Sequence, residues 1–137
     1  MTSSVKSPPQ KVTFPSKTVK RGERALVCSP FNLILFITMI NTSVDLKDIS
    51  LNRGLTKDYT VKAITENKVE QELMWLIKVG ILRREVDGQG ITDSFRLTPL
   101  GRNIVNRWQS ETGEIPKATF FDRVINFWHR ITNWQLG

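Results

Sequence analysis

The sequence predicts a mostly α-helical fold with a small β-hairpin, closed by an amphipathic C-terminal helix. Three observations lead there. Val69, Leu73, Leu76 and Ile77 recur at three- and four-residue spacing and so share one helix face. Two alternating runs, Ile81 to Val86 and Ile91 to Leu97, flank Asp87-Gly88-Gln89-Gly90, whose glycines suit the positive φ of a hairpin turn. From Thr119 to Trp134, apolar and polar residues separate onto opposite sides at about 100° per residue.

In chain order, residues 1–24 hold Ser, Thr, Lys and Pro without a sustained period, and are expected to be a disordered basic tail because they bury too little apolar surface to offset their ordering entropy. Ser29-Pro30 reads as a helix start, and Phe31 to Ile40 is apolar nearly all round, the mark of a buried helix. Val44-Asp45-Leu46 suits a short strand. Lys47 to Leu51 suits a second helix, with Leu46, Ile49 and Leu51 inward. For Asn52 to Asn67 two readings stand: an insertion, or an early start of the third helix. That helix ends at Gly80, where the left-handed conformation costs glycine least. After the hairpin, Thr98 is an N-cap and Pro99 a first-turn residue for a helix carrying Leu100, Ile104, Val105 and Trp108 on one side. Residues 110–117 form a linker. In the last helix, over 118–137, Thr119 and Asp122 make a capping box with Asp in place of Glu. Helix, Gly, hairpin and helix form the second half of a winged helix-turn-helix domain, placed at residues 25–109.

The stretch GILRRE…FRLTPLGRNIV resembles the wing of bacterial regulators of the MarR and PadR type, over Leu73 to Ile104. There a helix ending in Gly leads to an Arg-bearing strand, and a second strand ends in Leu-Thr-Pro-x-Gly-Arg. The resemblance implies a winged helix and, from PadR-type proteins, a dimerising helix beyond the wing. It does not fix the function, since winged helices serve both DNA binding and protein association.

At 137 residues the chain holds one core. Its net charge is +7, and five of those seven positive charges lie in residues 1–24, where Lys6, Lys11, Lys17, Lys20, Arg21 and Arg24 face Glu23 alone. Cys28 is the only cysteine, which excludes an internal disulfide and a Cys-based zinc site and fits the reducing cytoplasm. The longest apolar run, Phe31 to Ile40, is about half the ~20 residues of a membrane span. His129 is the only histidine and lies far in sequence from Cys28, so no nucleophilic pair is expected. Neither an enzyme nor a cofactor or metal is expected.

Double-stranded DNA is the first expected partner, read by a dimeric transcriptional regulator. Lys57, Lys62, Lys68, Gln71, Lys78, Arg83 and Arg84 are the candidate contacts, the lysines and arginines for phosphate and Gln71 for adenine. Glu66, Glu70 and Glu72 on the third helix, and Glu85, Asp87 and Asp93 on the wing, oppose that use. The alternative is a non-catalytic adaptor that binds protein. Its anchors would be Trp75, read either as a half-buried cover of the 52–67 segment or as an interaction hot spot, and the last helix. The apolar side of that helix comprises Phe120, Phe121, Val124, Ile125, Phe127, Trp128, Ile131 and Trp134. It has three possible uses: packing on its own domain, pairing with a second copy, or lying on a membrane surface.

Overall fold

The computed structural model describes residues 13–136, with side chains as far as Thr132. Among the described residues there are seven helices and one small antiparallel sheet. The helices are α1 (Ser16–Val27), α2 (Leu33–Asn41), α3 (Leu46–Ile49), α4 (Leu51–Thr56), α5 (Glu66–Lys78), α6 (Pro99–Glu111) and α7 (Phe120–Leu136). The strands are β1 (Val44–Asp45), β2 (Leu82–Asp87) and β3 (Gly90–Leu97), in spatial order β1-β3-β2.

Residues 16–24, expected to be disordered, form most of α1, which packs on α5, α6 and α7. Its inward side carries two small residues, Gly22 and Ala25, beside the buried Leu26, with Phe14 and Val19 against the core. A Cβ on Gly22 would come within 2.7 Å of the Ile81 side chain, so the close approach of α1 depends on a residue that carries no hydrophobic signal. Residues 1–12 lie outside the described residues.

α2 is the hub, with Leu33, Leu35, Phe36 and Met39 buried. It begins two residues later than the Ser29-Pro30 signal suggests. The Ser29 hydroxyl instead donates to the Leu26 carbonyl (2.8 Å), closing α1, while Phe31 makes an isolated bridge to Thr60. The second helix is longer than Lys47 to Leu51 and is broken at Ser50 into α3 and α4. Leu51 takes a φ of 54° there and is half exposed, not inward. Its N–H donates to the Ile64 carbonyl (2.7 Å). α5 starts only at Glu66, with the Thr65 hydroxyl accepting the Lys68 N–H (3.3 Å), so the early-start reading of 52–67 fails; α4 and a connecting segment fill it. Tyr59 and Thr60 are buried in that segment, and Val61 is exposed.

The helix–hairpin–helix stretch is as the sequence predicts. Gly80 has φ 89° just past the end of α5. β2 and β3 pair from Leu82↔Leu97 to Asp87↔Gly90, and β1 adds through Val44↔Phe95. Only Gly90 of the two turn glycines takes a positive φ; the Asp87 carboxylate accepts the Gln89 N–H (2.7 Å) and shapes the rest. Thr98 caps α6 through the Gly101 N–H (3.1 Å), and Leu100, Ile104, Val105 and Trp108 are buried. No helix of the described residues is long and apolar enough to cross a membrane.

Candidate functional site

α7 opens as its capping box predicts: the Asp122 carboxylate accepts the Thr119 N–H (3.0 Å) and the Thr119 hydroxyl accepts the Asp122 N–H (3.1 Å). The Thr119 backbone N–H first, then the Thr119 side chain and Arg24, hold the Asp122 carboxyl below the ordinary carboxylate range. Which side of α7 meets the body is the reverse of what amphipathicity suggests. Its polar side faces inward, apart from Arg123, which is exposed. Asn126 is buried and its Oδ1 accepts the Trp75 indole N–H (2.9 Å). Arg130 Nη1 reaches both oxygens of the buried Glu72 (3.0 and 3.1 Å), and its guanidinium lies 5.7 Å from the Trp75 ring centroid. Lys68 adds a second cation to Glu72 at 3.1 Å. Toward α1, Asp122 pairs with Arg24 (3.7 Å).

These contacts explain why the orientation holds. A carboxylate as buried as Glu72 would be strongly disfavoured alone, and two cations with charge-assisted hydrogen bonds offset that cost. Only the polar side of α7 supplies a guanidinium and an amide at the right rise for Glu72 and Trp75. The apolar side is left open: Phe120 is 76% exposed, Phe121 74%, Phe127 59% and Trp128 61%, with Val124 and Ile131 half-buried between them. Phe127 and Trp128 meet edge to face, as do Phe120 and Phe121. The Trp134 side chain lies outside the described residues.

Two clefts border this face. Lys68, Arg123, Asn126 and Arg130 line one on the α5 side, with Phe127 and Ile131 as its apolar wall, in a volume of about 590 Å³. Lys17, Lys20, Arg21, Arg24 and His129 line the other, on the α1 side. Burial, then Arg24 and Arg21, hold His129 below the ordinary imidazole value. Cys28, beside the first cleft, has its thiol pushed up by burial and then by Asp122, away from the thiolate a nucleophile needs.

The candidate DNA contacts are scattered. Trp75, expected to be half-buried or an exposed hot spot, is buried and bonded to Asn126 of α7. Glu72, expected on the outer face of the third helix, is buried with it. Lys68 is tied to Glu72, Arg83 to Glu85 (3.3 Å) and Lys57 to Asp48 (3.9 Å). Arg84 is half-buried over the Phe95 ring and bonds Glu70 (3.0 Å). Gln71 and Lys78 are exposed together with Asn67 on one ridge of α5, and Lys62 is exposed in the segment before it. Among the described residues no group of three or more His, Cys, Asp or Glu side chains is placed to hold a metal ion. Sequence reasoning missed Glu72, Asn126 and Arg130 as a fastening set. Their i, i+4 spacing on α7 and the i+3 spacing of Glu72 and Trp75 on α5 were present, but nothing local says that two polar faces meet.

Comparison with curated proteins and with solved structures gives no match. A family match runs over residues 12–130, from ahead of α1 to the arginine that closes on Glu72, so it takes in α5 and the first part of α7. The chain belongs to the Npun_F0494-like family.

Proposed function

We propose that this protein is a non-catalytic interaction protein on a winged helix-turn-helix scaffold, whose working surface is the open aromatic face of α7. The scaffold reading is supported by the order α2, β1, α3–α4, α5, β2, β3, α6 and by a three-stranded sheet in which the hairpin and β1 share β3. One observation carries the functional reading. α7 is fastened by Asn126, Arg130 and Asp122, so its four exposed aromatics contribute little to its own docking. A contiguous exposed apolar patch of that kind marks an interaction site.

The expected result for Phe127→Ser combined with Trp128→Ser is a stability change within about 0.5 kcal/mol of the parent, as for surface positions, together with loss of binding of a hydrophobic dye. Destabilisation by several kcal/mol in thermal melts would mean the chain itself covers this face, and the reading fails.

DNA binding is the second reading, favoured by the solvent exposure of Asn67, Gln71 and Lys78 on the helix that such a fold inserts into the major groove. The wing offers little support, because Arg83, Arg84 and Arg96 are all engaged by Glu70 or Glu85. α7 also occupies the Lys68–Glu72–Trp75 flank of the same helix. Duplex titrations across salt are therefore expected to give a shallow log–log slope, equivalent to fewer than about three phosphates at roughly −0.9 each. A slope near −5 that Lys62→Ala and Lys78→Ala flatten would reinstate DNA as the partner.

A further inference from the structure

We infer that the α7 face is a docking surface for an anionic membrane, on which the protein sits peripherally; this rests on the reading of α7 as the working surface. The argument is charge complementarity around an apolar strip. The strip consists of Phe120, Phe121, Phe127 and Trp128 with Val124 and Ile131 between them, aromatic and aliphatic side chains suited to the headgroup–acyl boundary.

Cations border both long sides. Lys17, Lys20 and Arg21 line the α1 side, and on the other Lys68, Arg123 and Arg130 outnumber the one carboxylate among them, Glu72. Lys117, just ahead of α7, is exposed as well. Of the carboxylates here, Glu72 is buried between Lys68 and Arg130, Asp122 faces Arg24 and Glu23 pairs with Arg107, while Glu114 in the segment ahead of α7 is exposed.

This pattern discriminates between occupants. A second copy of a +7 chain would bring cationic borders against cationic borders, whereas a surface of anionic lipid meets the strip and its borders together. Depth is limited by the fold. α7 gives its polar side to α1 and α5, so only its outer half can enter the bilayer, and no described helix can span it.

The test uses the full chain and sedimentation with vesicles of phosphatidylcholine, with or without about 30 mol% phosphatidylglycerol. Binding is expected to the anionic vesicles only, weakening about tenfold or more as salt rises from about 0.05 to 0.5 M. Lys17→Glu with Lys20→Glu is expected to lower the partition coefficient about thirtyfold or more, and Phe127→Ser with Trp128→Ser to abolish it. Equal binding to both vesicle types would overturn the anionic assignment, and absence of binding to either would overturn the membrane assignment.

The failure modes separate cleanly. If vesicles are not bound but the serine pair halves the mass in light scattering, the surface reading stands with a second copy as the partner. If the serine pair lowers the melting temperature, the surface reading itself is lost.

Discussion

Replacing Trp75 with Ala is expected to cost about 3–5 kcal/mol, the range for deleting a large buried aromatic side chain. Trp75 is 2% exposed and stands at the junction of α5 and α7. The substitution removes three things at once: the packing volume between the helices, the indole N–H that satisfies the buried Asn126, and the ring beneath the Arg130 guanidinium. Leaving the Asn126 oxygen buried without a donor alone costs about 1–3 kcal/mol. The loss should not be uniform. Hydrogen exchange is expected to rise first along α7, because its hold on α5 runs through Trp75 and Glu72, while the sheet and α2 stay protected until global unfolding. Trp75→Phe keeps most of the volume and drops the donor, so it separates the two contributions: a smaller global loss with the same release of α7. If Trp75→Ala costs under about 1 kcal/mol, the residue is not beneath α7, and the exposed hot-spot reading returns.

What the sequence reveals and conceals divides along physical lines. The stretch from Val69 to Trp108 is readable because each of its elements is specified by local chemistry: a 3.6-residue period, Gly80 in the left-handed region, two alternating strands, and Thr98-Pro99 as cap and first turn. α1 is hidden because its contacts use Gly22 and Ala25, residues that permit close approach without registering as hydrophobic. The orientation of α7 is hidden for a different reason. Amphipathicity predicts that an apolar side turns inward, and that holds when the alternative is solvent. Here the alternative was a buried carboxylate and an indole donor on α5, which polar partners satisfy and Phe or Trp do not. Spacing separates the polar from the apolar side of α7; which one meets the body depends on residues some fifty positions away.

The break between α3 and α4 turns on Gly54, and Gly54→Ala is expected to destabilise by about 3 kcal/mol or more, at or beyond the upper end of overpacking costs. A Cβ at this position would lie 2.6 Å from the Ile49 carbonyl carbon and closer still to its oxygen. Both atoms are main chain, so relief cannot come from a rotamer change. Ile49 is fully buried in the core, and moving its peptide outward would drag that side chain with it. The same peptide region is held from the other side, since the Gly54 carbonyl accepts the Tyr59 N–H (2.8 Å) and its N–H donates to Ser50 (3.3 Å). Relaxation would therefore loosen the whole segment leading to α5, including the buried Tyr59 and Thr60. Gly88 in the hairpin turn is the control. Nothing lies within 4 Å of a Cβ there and its φ is not positive, so Gly88→Ala should stay within about 0.5 kcal/mol of the parent. Denaturant titration of the two variants decides the matter. Equal midpoints would mean that α3 and α4 do not approach this closely, and that the helix runs through Ser50 as the sequence alone suggests.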